Sequence, residues 1–472
     1  MTTEPKQPAG LPRLNRAVRP LEKAPVRIVH MGLGAFHRSH QAWYTQHAGD
    51  AGEWGIAAFT GRRPDAAKVL AAQDGLYTVV ERADAGDSFE VIGSIVEAVD
   101  GADVDRFVQL LAAPLTTLIT LTITEAAYRL DVDGKLDSRA PDVAADLALL
   151  SGGVGRASSK PTTPLGRLVL GLAARRDSDA GPLAVVCCDN LSNNGTVARS
   201  AVMGMAKAVD GGLAAWVDAN VSFVSTSVDR ITPRTTDADI DAVAAACGYR
   251  DESPVVTEPF HNWVLSGDFP AGRPRWEDAG AVFVDEIEPY ENRKLWLLNG
   301  AHSLLAYAGQ LLGYKTVAEA LADDSCRRAV EDFWDEAAAN LDGADLRIPE
   351  YRAALLERFG NSRIAHHLAQ IAMDGSAKLR MRALPVLRAE RAAGRSGQAA
   401  ARMIAAWSAY TATATGLQDP QAADIAAANL LSGRARLEAL LDLLDPELGA
   451  DSGIVELVEG LSETFADAGH LS

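Results

Sequence analysis

The stretch Pro289-Tyr290-Glu291-Asn292-Arg293-Lys294-Leu295-Trp296-Leu297-Leu298-Asn299-Gly300-Ala301-His302 gathers a carboxylate, an amine, a carboxamide and an imidazole. That set suits the oxidation of a secondary alcohol, which needs a base for the hydroxyl proton and an acceptor for the hydride. A lysine withdrawn from water can have its pKa lowered towards neutrality and act as the base. The alkoxide formed as the proton leaves is steadied by amide N–H groups aimed at it. Asn299 on this stretch, and Asn190 far upstream, are candidates for that pair, and His302 for orienting a substrate hydroxyl. None of this needs a metal.

Proline near the start and an acidic first turn predict a helix. At about 100° per residue, Glu291, Lys294, Asn299 and His302 fall in one sector of roughly 140°. Leu295 and Leu298 lie inside the sector, while Trp296, Leu297 and Leu305 make the remaining surface apolar. The bland alternative is a Glu–Lys pair three residues apart on a solvated face. A helix apolar almost all round is buried, however, so its polar stripe is expected to line a cleft.

The elements upstream must bring a cofactor to that chemistry. Short β-branched runs at 26–31, 54–60, 77–81, 116–124, 183–188 and 221–228 alternate with Ala/Leu-rich segments. Such alternation predicts βαβ units and a largely parallel sheet. The first run enters Gly32-Leu33-Gly34-Ala35-Phe36-His37, where two glycines allow a tight turn against a pyrophosphate. The following helix would offer its N-terminal N–H groups and dipole to the anion. The third glycine of the dinucleotide pattern is missing, because His37 stands there. At the end of the second run, Arg62 and Arg63 suit a 2′-phosphate, whereas Asp65 suits a free 2′-hydroxyl. The signals conflict; NAD is preferred, with NADP as the alternative.

Three later runs end in polar residues: Thr124-Glu125, Asp189-Asn190 and Asp229-Arg230. Ligands of open parallel sheets bind beyond the carboxyl ends of the strands. Single pairs of this kind are ordinary turn residues, but three together favour a site. After Pro289 the pattern is helical, with breaks at Gly313, Gly343, Gly360, Gly375, Gly394, Gly416 and Gly433. A Rossmann-type α/β domain over 1–288 and a mostly α-helical domain over 289–472 are therefore expected.

Composition sets outer bounds. The chain has 472 residues, 48% of them apolar, enough for more than one core. A formal charge of −18 disfavours nucleic acid and anionic membranes as partners. Cys187, Cys188, Cys247 and Cys326 show no disulfide-framework spacing, and there is no CxxC or HExxH. His37 and His40 lack neighbouring ligands for a metal. No apolar run reaches the roughly 18 residues of a membrane helix. The opening residues lack the apolar core of a signal peptide, so a cytoplasmic protein is expected.

Seven ordered segments resemble the long-chain mannitol dehydrogenase family, which acts on polyols and hexuronates. They are IVHMGLGAFHRSHQ at 28–41, QDGLY at 73–77, LTITEAAY at 121–128, CDNLSNNG at 188–195, VDRITP at 228–233, EPFHNWV at 258–264 and KLWLLNGAH at 294–302. The resemblance spans about residues 26–385. It implies a Rossmann-type domain, a helical domain, a catalytic site between them, and a monomer. It also implies Lys294 as the base, Asn190 and Asn299 as the oxyanion pair, His302 and Asp229 as substrate ligands, and Glu291 in proton passage to solvent.

Departures from the family bear on the substrate. IAMDGSAKLRMR at 371–382 resembles fructuronate reductases, yet Arg380 stands where those usually carry proline. AHHLA at 365–369 replaces their basic-aromatic run, and Asn262 replaces a more usual glutamine. Lys378 and Arg382 match basic positions that could hold a carboxylate, or could pair with helix acids. The leading expectation is a polyol–ketose pair such as mannitol and fructose. The mannonate–fructuronate pair is second and a phosphorylated polyol third. A sensor that kept the fold without catalysis has no need of a base such as Lys294.

Overall fold

The computed structural model describes residues 10–152, 160–343 and 345–466. The chain forms two compact units, Met1–Glu288 and Pro289–Ser472.

Among its described residues the first unit has eleven strands: β1 (Val26–Met31), β2 (Gly55–Phe59), β3 (Tyr77–Ala83), β4 (Gly86–Ile92), β5 (Ile95–Val99), β6 (Leu118–Leu121), β7 (Leu183–Cys187), β8 (Val221–Asp229), β9 (Val255–Thr257), β10 (Asn262–Ser266) and β11 (Val282–Phe283). Eight form one sheet in the order β11-β10-β8-β7-β6-β1-β2-β5. From β5 to β8 every neighbouring pair is parallel. This is the order of a Rossmann sheet, with β1 at the point where the winding reverses.

Both faces of the sheet are covered, so its central strands are apolar on both sides. Alternation distributes them: Val29, Met31, Val185 and Cys187 join one core, and Ile28, Ala184, Val186 and Cys188 the other. The first of these cores is closed by helices such as Val104–Leu111 and Pro164–Asp177. The second contains Trp54, Trp263 and Trp276.

The sheet is not parallel throughout. β10 runs antiparallel to β8, placing Asn262 opposite Asp229. β3 and β4 form a hairpin that joins β9 in a separate three-stranded sheet. The run expected at 116–124 is a strand only over Leu118–Leu121, since Thr124 turns to φ 74°.

The second unit is helical, and no strand occurs among its described residues. One isolated bridge pairs Thr316 with His367. Thr316 also opens the helix Val317–Ala322 through a reciprocal capping box with Glu319. The centre of the unit is a continuous helical segment: Glu288–Arg293, then Lys294–Gly300 in π conformation, then Ala301–Leu311.

Candidate active site

β1 delivers the chain to Gly32 at φ 110°. A Cβ there would lie 2.0 Å from the Thr122 carbonyl oxygen, so only glycine fits. Gly32 and Leu33 both donate their N–H groups to the Phe59 carbonyl, at 2.9 and 2.8 Å. Those two donors are therefore spent on β2. The N–H groups left to an anion are those of the turn's far side, at Ala35 and Phe36 in the first helical turn.

The helix expected after Gly34 is present and short. Ala35–Ser39 is one short helix, and Gln41–His47 begins anew after His40 at φ −117°, ψ −91°. A break so early leaves little aligned dipole. His37, at the missing third glycine, turns inward and stacks on His30, with ring centroids 3.3 Å apart and planes 7° from parallel. Both rings are buried, and burial pushes His30 down to about 3 and His37 well below the ordinary histidine value. They are a neutral stack behind the turn.

At the end of β2, Arg62, Arg63 and Asp65 are all exposed, with Asp65 opening the helix Asp65–Ala71. At the end of β6, the Thr122 hydroxyl donates to the Gly32 carbonyl at 2.9 Å, tying this loop to the glycine turn. Thr124 and Glu125 follow, exposed.

Asp189, two residues past the end of β7, is buried, while Asn190 beside it is exposed. The Asp189 carboxylate accepts from Thr124 N–H at 2.7 Å, Ile123 N–H at 3.3 Å and the Tyr128 hydroxyl at 2.7 Å. Burial raises its carboxyl above the usual range, against the pull of those three donors. Asn194, fully buried, donates to the carbonyls of Asp189 and Thr226 and accepts the Thr226 N–H. It fastens the end of β7 to β8.

The pair at the end of β8 divides in two. Asp229 is buried at the strand terminus. Arg230 is scaffold: its guanidinium donates to the Ser39 and Glu258 carbonyls, pairs with Glu81 at 2.9 Å and lies over Trp43.

In the helical unit the π conformation revises the angular reading of the sequence. An α-helix rotates residues five apart well round the axis. The i→i+5 bond of a π-turn instead brings them near one line. Lys294 and Asn299 are five apart, so the two share a face more closely than the α-helical projection allowed.

The surroundings hold this turn. The Trp334 indole donates to the Leu297 carbonyl at 2.6 Å, and Arg382 Nη1 donates to the Asn299 carbonyl at 3.1 Å. The same Arg382 nitrogen donates to the Ser303 hydroxyl at 2.9 Å. A Cβ on Gly300 would lie 2.4 Å from the Phe333 ring, so the helix packs there through bare backbone.

Beside the turn lies a cavity of about 270 Å³ lined by Asn299, His302, His366, Gln370, Ile371, Lys378 and Arg382. His302 is buried and meets His366 edge-on with centroids 4.7 Å apart. Its Nε2 has no hydrogen-bond partner in the structure. Burial first, then the charges of His366, Arg358, Arg382 and Lys378, holds His302 well below the ordinary value, so it is neutral. Burial lowers Arg382 to about 10 and lowers Lys378 as well. Neither cation is matched by an acid in the lining: Lys378 Nζ donates to the Ile371 carbonyl at 3.0 Å.

The sequence reading thus finds Asn299, His302, Lys378 and Arg382 gathered in one cavity. It overlooked His366, Gln370 and Ile371. His366 is fixed by backbone pairing, its carbonyl accepting the Val317 N–H at 3.0 Å. That partner is far off in the chain, and no local pattern points to it. The doublet His366-His367 beside the fructuronate-reductase-like segment was the available signal.

Residues 26–278 match the mannitol dehydrogenase Rossmann domain, and residues 286–464 match the mannitol dehydrogenase C-terminal domain. The chain is 37% identical over 441 residues to the D-mannonate oxidoreductase of Escherichia coli K12, covering 88% of both chains. A substrate-free D-sorbitol dehydrogenase superposes with a TM-score of 0.88 at 28% identity, over 97% of this chain and 99% of that one. The mannitol 2-dehydrogenase of Pseudomonas fluorescens, solved as a ternary complex with NAD and D-mannitol, gives 0.74 at 32% identity over 94% and 93%. The chain belongs to the mannitol dehydrogenase family and is one of its oxidoreductases.

Proposed function

We propose that this protein is a metal-independent, NAD-dependent dehydrogenase that interconverts a polyol such as mannitol with its 2-ketose, such as fructose. The observation that carries the proposal is the π-turn. It spans Lys294 and Asn299, five residues apart, and Asn299 shares a cavity with His302, whose Nε2 has no hydrogen-bond partner. The glycine turn fits a dinucleotide, since Gly32 adopts a conformation and a close backbone approach that exclude any side chain. Gly34, Ala35 and Phe36 would face the pyrophosphate, with Gly32 and Leu33 shaping the turn and Thr124 and Glu125 flanking it. NAD supplies the hydride acceptor for oxidation, and NADH the donor for the reverse. Asp65 would hold a free ribose 2′-hydroxyl, and Arg62 the 2′-phosphate of NADP if that cofactor were used.

Lys294 takes the proton of the reacting hydroxyl, and Glu291, one helical turn away, passes it towards solvent. The side-chain N–H groups of Asn190 and Asn299 donate to the oxygen as its charge develops. His302 Nε2 and Asp229 hold neighbouring hydroxyls and so fix which carbon reacts. A neutral His302 suits this task, because it can accept or donate without placing a charge beside the alkoxide.

A second reading, the reduction of a keto-uronate such as fructuronate, is favoured by one feature. Lys378 and Arg382 line the cavity with no acid among its lining residues, an arrangement that suits a carboxylate. Similarity to a D-mannonate oxidoreductase supports it.

The test follows oxidation of NADH and NADPH with fructose and fructuronate offered separately. Turnover of fructose alone supports the polyol reading, and turnover of fructuronate alone replaces it with the uronate reading. Lys294→Ala should lower kcat by about 10³-fold with NADH affinity kept. Unchanged turnover in that variant would sink the mechanism.

A further inference from the structure

Thr124 has φ 74° and ψ 152°. Glycine adopts that region without penalty, whereas a β-branched residue held there is an outlier that its surroundings must enforce. The enforcement is visible. The Thr124 N–H and the preceding Ile123 N–H both point at the Asp189 carboxylate, at 2.7 and 3.3 Å. The 3₁₀ turn Glu125–Tyr128 then brings the Tyr128 hydroxyl back to the same carboxylate, at 2.7 Å. One end of this loop is already tied to the glycine turn through Thr122 and Gly32.

Asp189 is fixed in turn. Its carbonyl accepts from Asn194 Nδ2 at 2.9 Å, and the same nitrogen donates to the Thr226 carbonyl of β8 at 2.8 Å. Its backbone is therefore anchored to β8 while its side chain grips the loop after β6. The next residue is Asn190, the amide assigned to the developing alkoxide.

We propose that Asp189 is a positioning residue. It holds the Thr124 turn in its strained conformation, so shaping the edge of the cofactor crevice, and it sets the direction of Asn190 with the same anchor. The inference rests on the cofactor and oxyanion assignments of the proposed function. The chemistry of the anchor requires an acceptor-only group. A carboxylate offers lone pairs to all three donors at once, whereas an asparagine would turn its NH₂ group towards at least one of them.

The test uses the whole chain with the substitutions Asp189→Asn, Asp189→Asn/Thr124→Gly and Tyr128→Phe. NADH binding is titrated by fluorescence, and kcat and KM are measured with whichever sugar the wild type turns over. Asp189→Asn should raise the NADH Kd about tenfold and lower kcat about tenfold, leaving the sugar KM within about twofold. Glycine at 124 adopts the required conformation unaided, so the double variant should recover most of the NADH affinity. A role in stability alone would give no such recovery. Unchanged NADH affinity in Asp189→Asn, or equal loss in the double variant, overturns the proposal.

Should Asp189→Asn not fold, Tyr128→Phe carries the test, because it keeps the ring and removes one donor. NADH Kd should then rise about threefold, and no change overturns the proposal. A wild type that binds NADH but reduces neither sugar would defeat the proposed reaction and leave this binding test intact.

Discussion

The two units hold their candidate reacting amides by opposite means. Asn190 follows a buried carboxylate that accepts from two backbone N–H groups and a hydroxyl. Asn299 sits in a π-turn where a half-buried guanidinium and an indole donate to backbone carbonyls. In the sheet unit a side-chain acceptor satisfies irregular backbone donors. In the helical unit, side-chain donors satisfy irregular backbone acceptors. Irregular backbone is costly to bury unless each polar group finds a partner. The difference shows that the partner's sign follows from whether the irregularity strands an N–H or a C=O.

The sharpest break in this comparison removes the amides themselves. Asn190→Ala and Asn299→Ala should each lower kcat by about 10²-fold or more, with the sugar KM little changed. If both serve one oxygen, the double variant should lose less than the product of the single losses. Additive losses in steady-state kinetics would separate the two residues into different roles.

Next in size is the donor to the π-turn. Arg382→Met strands the Asn299 carbonyl and should cost about 1–3 kcal/mol of stability, read as a lower Tm. It should reduce kcat on any substrate, since Asn299 loses its hold. A further rise in KM confined to fructuronate would assign Arg382 to the carboxylate as well.

Acid should separate the units. His30, His37 and His40 in the sheet unit, and His302 in the helical unit, are buried with values held below the ordinary range. The unfolded chain binds protons at such rings below about pH 6.5. The folded chain binds them at His30 and His40 only near 3. Unfolded chains therefore hold the extra protons, and stability falls as pH drops below about 6.5, by up to ~1.4 kcal/mol per ring per pH unit. His47, which burial pulls down but bonds to Glu90 and the Trp43 carbonyl raise on balance, opposes the trend. Hydrogen exchange at pH 7.5 and 5.5 should show the larger loss of protection around β1. Equal loss in both units would show that these rings do not govern it.

The smallest effect is expected from Trp334→Phe, which removes the donor to Leu297 while keeping an aromatic ring. A loss of about 1 kcal/mol in denaturant unfolding, with a modest fall in kcat, would fit a supporting role.

Much of the sheet unit is legible because alternation and apolar runs report strands directly. β1 runs over the residues expected, and β7 and β8 differ by one residue at the end. β4 escaped because only one of its two faces is sheltered and its sequence, GDSFEVI, is largely polar. β10 and β11 escaped because they are short, and one of them mixes asparagine and serine with its apolar residues. The site residues at strand ends were legible as positions and not as roles. Asp189 looked like a turn residue because Tyr128, its partner, lies 61 residues away. The helix at 289–302 was legible as a helix. Its π-turn was not, because its apolar pattern fits a 3.6-residue period and the side chains that bond its carbonyls, Trp334 and Arg382, are distant in sequence.

The π-turn carries a further consequence, for chain length. A widened turn is an α-helix with a residue accommodated in excess, so removing any one residue from Lys294–Gly300 would let the segment close into regular helix. The extra residue is absorbed within the turn itself, so the helix beyond Gly300 would keep roughly its direction and register relative to the helix before Lys294. The change would fall inside the turn, where the Leu297 and Asn299 carbonyls that accept from Trp334 and Arg382 would be drawn back into the regular helical ladder. One residue fewer would therefore erase the widened turn while the helices on either side stayed aligned, which separates the turn's own contribution from that of the helix that carries it.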